Sequence, residues 1–192
     1  ADNCEEFTRV ADEALEHYRR RAEQLWAGSD RAVFCTFGGL SFGDIALVPG
    51  TFLKEPKGIR DVEEWYVSTA ARPGYIKAVF ERQCEVAIEN LRRLHAAVGD
   101  RVTVIQTNGT DFGTQNGPFQ SVAAFRDLYK PYQRRVNAWI HENTPWRTLM
   151  HCCGGIAPLI DDIIEAGFDC LNPVQCSAAG MDPRVLKCKY GE

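Results

Sequence analysis

Residues 148–174, TLMHCCGGIAPLIDDIIEAGFDCLNPV, contain two short apolar strand patterns with one helical pattern between them. The first strand pattern covers residues 148–152, the helix covers residues 158–166 and ends before Gly167, and the second strand covers residues 168–174. Two strands joined by a helix usually pair in parallel through a right-handed crossover. This stretch therefore predicts an α/β fold built on a parallel sheet.

The rest of the chain continues the same alternation. Its other helical patterns cover residues 3–27, 60–70, 73–99 and 121–142, and its other strand patterns cover residues 31–37 and 101–106. Pro131 predicts a kink in the helix over 121–142, because proline removes a backbone donor and clashes with the preceding turn. Ser121 is a candidate cap for that helix, and Asp182-Pro183 predicts the start of a last helix.

Unusual residues follow each predicted strand. Gly38-Gly39 come after the first strand, a polar loop over 107–118 after the second, and residues 151–155 and 172–175 after the last two. In parallel α/β folds the active site lies at this carboxyl end of the sheet. Four strands do not close a barrel, which needs roughly 250 residues. We expect either a small open sheet or the middle of a longer chain.

Composition limits the classes of function. The 192 residues carry a formal charge of −4, which argues against nucleic-acid or anionic-membrane partners. No apolar run reaches the length of a membrane helix, and no signal peptide opens the chain. Eight cysteines raise the alternative of a disulfide framework, but Cys35, Cys84 and Cys170 lie in patterns typical of buried thiols. We expect a reduced, cytoplasmic protein.

His151 and Cys153 are the first candidates for chemistry. In an extended strand the side-chain period is two, so both point to one side and Cys152 to the other. An imidazole and a thiolate on one face are half of a zinc site, and the glycines at 154–155 would let a substrate approach. A buried cysteine and a hydrogen-bonded core histidine are the alternative interpretation.

A zinc site needs at least one more ligand. Cys176 follows the next strand on the same predicted face and is the best local candidate. Gln175 is a weaker ligand, and Glu165 lies in a helix where a surface role is more typical.

The polar loop is the second candidate. Its sequence QTNGTDFGTQNGP, residues 106–118, concentrates amides, hydroxyls and the carboxylate of Asp111 at a strand end. Asp111 could act as a hydrogen-bond acceptor or general base, although such residues also stabilise turns by bonding their own backbone. The predicted substrate-binding residues are Gly38, Gly39, Gln106, Asp111, Gln115, Asn172 and Gln175, with Asp111 as the catalytic candidate.

Together these segments resemble the uroporphyrinogen decarboxylase superfamily, most closely its corrinoid-linked zinc methyltransferase branch and its uncharacterised relatives. The resemblance runs from about residue 32 to the C-terminus and is most specific in TDFGTQNGPFQSVAAFRDLYKPYQRRV (110–136), MHCCGGIAPLIDDIIEAGFDCLNPVQ (150–175) and GMDPRVLKCKYG (180–191). It implies a TIM-type (β/α)8 barrel of which about four β/α units are present. Residues 1–192 would be a single domain from its middle portion.

The resemblance also implies a reaction. In the methyltransferase branch, the equivalents of His151 and Cys153 bind Zn²⁺ and a later cysteine completes the site. The metal activates a thiol such as coenzyme M, which takes a methyl group from a corrinoid (cobalamin) held by a partner protein. That later cysteine would lie beyond this chain, so Cys176 is the local candidate, and Gln175 stands where some relatives have an acid.

Two alternatives stay open at this point. A uroporphyrinogen decarboxylase of porphyrin biosynthesis would use Asp111 to bind pyrrole NH groups of a tetrapyrrole without a metal, although the usual substrate-binding arginine is missing here. A non-catalytic barrel that only binds a tetrapyrrole is the other. If the chain is a fragment, its four strands leave two open edges, and we expect it to be unstable or to associate. A homodimer is a separate open alternative.

Overall fold

The computed structural model describes residues 2–5, 7–37, 39, 41, 43–45 and 47–191. Its strands are β1 (Phe34–Thr36), β2 (Val104–Asn108), β3 (Gly113–Thr114), β4 (Gly117–Pro118), β5 (Arg147–His151) and β6 (Cys170–Asn172). Its helices are α1 (Asp12–Gly28), α2 (Val62–Ala71), α3 (Pro73–Val98), α4 (Val122–Leu128), α5 (Lys130–Asn143), α6 (Ile160–Glu165) and α7 (Pro183–Tyr190). Three short 3-10 turns cover Asp2–Cys4, Gly99–Arg101 and Ala157–Leu159.

The main sheet has four parallel strands in the order β1-β2-β5-β6. Each strand therefore lies beside the one that precedes it in the chain, apart from the small antiparallel hairpin β3–β4 in the loop after β2. A doubly wound sheet would reverse direction at a switch point. The observed order is that of consecutive strands in an α/β barrel wall.

Helices cover one face of this sheet. Cys35, Ile105 and Met150 point to that face and are buried in the helix-packed core. On the other face Phe34 is 50% exposed, and Leu149 is partly exposed. Open parallel sheets normally have both faces covered. The fold is thus compatible with a partial α/β barrel whose uncovered face would line the interior.

Sequence features account for most helix boundaries. The Ser121 side chain accepts a hydrogen bond from the Ala124 backbone N–H, and Asp182 accepts one from Arg184, which confirms both predicted caps. Tyr129 separates α4 from α5, so the kink predicted from Pro131 is a break between two helices. None of the described helices is long and apolar enough to cross a membrane.

The predicted starting residue of the first helix was wrong. The pattern indicated a helix from residue 3, but α1 starts at Asp12. The preceding segment instead lies along α3, where the Asn90 side chain accepts from the Val10 backbone N–H and donates to the Thr8 carbonyl at 2.9 and 2.8 Å. This tertiary contact satisfies backbone groups that a helix would otherwise pair internally.

Gly154 allows a close backbone approach, which gives a test of the fold. Its φ is +93°, and a Cβ there would overlap the backbone of Gly113. We expect Gly154→Ala to lower the free energy of unfolding by about 1–3 kcal/mol, measured by urea denaturation. Gly74→Ala is the matched control, because a Cβ at Gly74 meets nothing within 4 Å. Equal stabilities of the two variants would contradict the close packing of these loops.

Candidate metal centre

The side chains of Asp111, His151 and Cys153 converge after β2 and β5. Their ligand atoms all lie within 4.8 Å of one another, and each residue is partly buried. His151 Nε2 lies 3.6 Å from Cys153 Sγ and 4.0 Å from Asp111 Oδ1. Among the described residues, this is the group of acidic, histidine and cysteine side chains that could hold a metal ion.

Strand alternation separates the two neighbouring cysteines, as predicted. His151 ends β5, and Cys153 continues on its side, whereas Cys152 turns into the helix-packed core and is 0% exposed. The Cys152 Sγ accepts a hydrogen bond from the Phe112 backbone N–H at 3.3 Å. Burial raises the pKa of Cys152 to about 12. Cys152 is therefore a structural thiol, and only Cys153 faces the site.

Asn172 orients the imidazole of His151. The two residues are register partners on β5 and β6, and Asn172 Oδ1 lies 3.1 Å from His151 Nδ1. When a neutral ring donates from Nδ1 to that oxygen, Nε2 is left without a proton. The lone pair of Nε2 then points toward Cys153 and Asp111. Hydrogen bonds of this kind typically fix the tautomer of a metal-binding histidine.

Asp111 is held by both neighbouring strand ends. Its Oδ1 accepts a hydrogen bond from the Cys153 backbone N–H at 2.6 Å. Its own backbone N–H donates to Asp44 Oδ2 at 3.0 Å, and Asp44 is only 6% exposed. Burial and the adjacent Asp111 carboxylate raise the pKa of Cys153. The sequence did not lead us to Asp44. The feature that could have indicated this residue is an acidic side chain in the glycine-rich loop after the first strand.

Gln115 and Gln175 hold the loops of the site together. Gln175 Oε1 accepts from the Gly154 backbone N–H at 2.8 Å, and its Nε2 donates to Gln115 Oε1 at 2.9 Å. Gln115 Nε2 donates in turn to the Ser177 carbonyl at 2.8 Å. Both amides, predicted as substrate-binding groups, thus have protein partners. They join the hairpin after β2 to the loops after β5 and β6.

The paired glycines serve the same loop packing. A Cβ at Gly155 would come within 2.8 Å of the Ala179 carbonyl oxygen. As at Gly154, the space over this residue is filled by the chain's own backbone. The expectation that these glycines admit a substrate is therefore replaced by a structural reason for them.

The remaining predicted residues are Gly38, Gly39, Gln106 and Cys176. Gly39 joins β1 to β2, since its backbone N–H donates to the Thr107 carbonyl at 3.0 Å. Gln106 lies within β2, half-buried, in register with Leu149. Gly38 lies outside the described residues. Cys176 is exposed, with its Sγ directed at the Val174 carbonyl at 3.3 Å, so Asp111 and not Cys176 joins His151 and Cys153.

Comparison with known proteins supports the fold. Neither a protein-family model nor a curated protein matches the sequence. Among solved structures, a methyltransferase from Methanosarcina mazei superposes with a TM-score of 0.55 at 18% sequence identity, over 82% of this chain and 40% of that one. The chain thus spans less than half of that protein. At this identity the likeness shows a shared α/β fold.

The difference between the cysteines can be measured by alkylation. We expect iodoacetamide to modify the exposed Cys176 and Cys188 first in the native protein. Cys84 and Cys152 should react at least about tenfold more slowly, because both are buried and burial raises the pKa of each thiol to about 12. Mass spectrometry of timed samples gives the rates. Rapid labelling of native Cys152 would contradict its orientation into the core.

Proposed function

We propose that the protein is a zinc-dependent methyltransferase that moves a methyl group between a corrinoid held by a partner protein and a thiol. One observation carries this proposal: an imidazole nitrogen, a thiol sulfur and a carboxylate oxygen lie within 4.8 Å of one another at the carboxyl ends of parallel strands. Asp111 takes the role of third ligand that the sequence had given to Cys176.

The donor set suits zinc. Typical Zn–N, Zn–S and Zn–O bonds in a tetrahedral site imply ligand-to-ligand distances of roughly 3.3–3.8 Å. The 3.6 Å between His151 Nε2 and Cys153 Sγ falls in this range, and the 4.0 Å to Asp111 Oδ1 needs only a small adjustment. Three protein ligands with one open position are typical of a catalytic zinc site.

Each residue has a defined task under this proposal. His151, Cys153 and Asp111 would hold the metal, and Asn172 keeps the imidazole nitrogen directed at it. When bound, zinc would lower the pKa of a substrate thiol and so supply a thiolate nucleophile. Gln115 and Gln175 keep the ligand-bearing loops in contact and so preserve the spacing of the ligands.

The fold likeness favours methyl transfer over tetrapyrrole decarboxylation. The solved Methanosarcina mazei protein that shares this fold is named a methyltransferase. In addition, the Asp111 carboxylate, which a decarboxylase would direct at pyrrole NH groups, lies beside an imidazole and a thiol and accepts from the Cys153 backbone N–H. This surrounding supports a role for Asp111 as a metal ligand.

Zinc binding by the purified protein tests the proposal. We expect about one zinc per chain by elemental analysis, and loss of zinc in the His151→Ala/Cys153→Ala double variant. Asp111→Asn should weaken zinc affinity at least about tenfold, measured by competition with a chromogenic chelator. Cys176→Ser is the matched control and should bind zinc like the native protein, because its thiol lies outside the cluster.

Two results would contradict the proposal. Loss of zinc in Cys176→Ser would indicate that the Cys176 thiol, and not Asp111, is the third zinc ligand. Zinc-free protein that binds a porphyrinogen would favour the decarboxylase or the non-catalytic tetrapyrrole binder. Demethylation of methylcobalamin by the zinc-loaded protein with added thiols, followed by absorbance, then separates an enzyme from a binding protein.

A further inference from the structure

A cleft of about 370 Å³ lies between the N-terminal segment that precedes α1, α1 itself, the carboxyl end of β1, and α3. Small-molecule sites in proteins commonly have volumes of roughly 300–1,000 Å³. Of the described residues that line this cleft, none belongs to the group of Asp111, His151 and Cys153. The cleft is therefore separate from the candidate metal centre.

The wall of the cleft is neutral and partly aromatic. No charged side chain occurs among the described residues that form it. Phe7, Tyr18 and Phe37 contribute three rings, and those of Tyr18 and Phe37 meet edge to face with centroids 5.6 Å apart. A charged ligand would lose hydration here without gaining an ionic partner. The wall therefore favours an uncharged ligand with a flat, apolar ring.

Two buried amides also line the cleft, and they differ in how fully they are paired. Asn90 uses both ends of its amide on the N-terminal segment, since Oδ1 accepts from the Val10 backbone N–H at 2.9 Å and Nδ2 donates to the Thr8 carbonyl at 2.8 Å. Gln83 uses only one end, as Nε2 donates to the Gly39 carbonyl at 3.0 Å. The Oε1 atom of Gln83 has no hydrogen-bond partner within the part of the chain that the structure describes.

The unpaired oxygen of Gln83 is destabilising. Gln83 is 0% exposed, so bulk water does not replace the missing partner, and a buried acceptor without a partner is unfavourable. Rotating the amide by 180° would not help, because its oxygen would then face the Gly39 carbonyl oxygen. Buried polar groups in folded proteins almost always have partners. An N–H group brought to the wall of the cleft by a ligand would supply the one missing here.

We propose that this cleft binds an uncharged heteroaromatic compound of one or two rings, whose ring N–H donates a hydrogen bond to Gln83 Oε1. The apolar part of the ligand packs against the aromatic side chains of the wall. The site is additional to the candidate metal centre, and neither proposal depends on the other.

Indole and benzofuran are a matched pair of probes for this site. They share one two-ring shape, but indole has a ring N–H where benzofuran has an oxygen that cannot donate. Titration of each into the full chain, followed by ¹H–¹⁵N correlation NMR, gives the affinity and locates the site. We expect indole to bind about threefold to tenfold more tightly, the usual contribution of one hydrogen bond. Indole should also shift the signals of the Gly39 backbone amide and the Gln83 side-chain amide.

A charged probe tests the neutrality of the wall. Indole-3-carboxylate keeps the ring N–H but carries a negative charge at neutral pH. We expect it to bind at least about tenfold more weakly than indole, because no described side chain of the cleft can pair with the charge. Equal affinity of the two compounds would contradict the assignment of an uncharged ligand.

Variants assign the hydrogen bond to its acceptor. Gln83→Leu removes the acceptor, so indole should lose its preference over benzofuran. Gln133→Leu is the matched control and should keep the preference, because Gln133 is also buried with an unpartnered Oε1 but is not among the described residues of the cleft. Val86→Trp, on the wall of the cleft, should fill the space and weaken both probes at least about tenfold. Far-ultraviolet circular dichroism checks the folding of each variant.

The possible outcomes each decide the proposal. Benzofuran that binds as tightly as indole would contradict the role of the ring N–H, and an unchanged preference in Gln83→Leu would contradict the acceptor. If Gln83→Leu does not fold, the NMR signals of the native protein decide, since indole that leaves the Gln83 and Gly39 signals in place would overturn the assignment. If neither probe binds, the cleft holds only water and this inference fails. The zinc content of the native protein, measured separately, is unaffected by any of these results.

Discussion

The hydrogen bond from the Cys153 backbone N–H to Asp111 Oδ1, 2.6 Å long, joins the two loops on which the candidate metal centre depends. Asp111 follows β2 and Cys153 follows β5, and parallel pairing brings these strand ends to one edge of the sheet. Pairing alone would leave a loop carboxylate free to point into solvent. The bond holds this carboxylate beside the imidazole and the thiol, so one interaction stabilises the loops and assembles the donor set.

Supporting contacts keep this arrangement from depending on one bond. Gly113 and Gly154 let two backbones approach more closely than any side chain would permit. Gln175 then joins the Gly154 backbone to Gln115 on the hairpin. Sites held by such second contacts need little rearrangement when a ligand binds. The surrounding loops therefore set the shape of the candidate site, and they would support metal binding without touching the metal.

The sequence predicted the features that depend on neighbouring residues. It failed where residues far apart in the chain determine the structure. The two-residue period of side chains along a strand correctly placed Cys152 on the opposite face from His151 and Cys153. The predicted helix caps at Ser121 and Asp182 were confirmed, because caps depend on neighbouring residues. Asp111 and Cys153 are 42 residues apart, so no spacing rule could join them, and Cys176 was chosen because it follows the next strand on the same predicted face. The false helical start at residue 3 has the same origin, since Asn90 on α3 binds that segment.

The central claim is that Asp111, His151 and Cys153 bind one zinc ion. X-ray absorption at the zinc edge of the metal-loaded protein tests it most directly, because sulfur is distinguished from lighter ligands by its longer bond, about 2.3 Å against 2.0–2.2 Å. We predict one sulfur and the remainder nitrogen or oxygen, unchanged in Cys176→Ser. A shell with two sulfurs, or with none, would contradict the assignment.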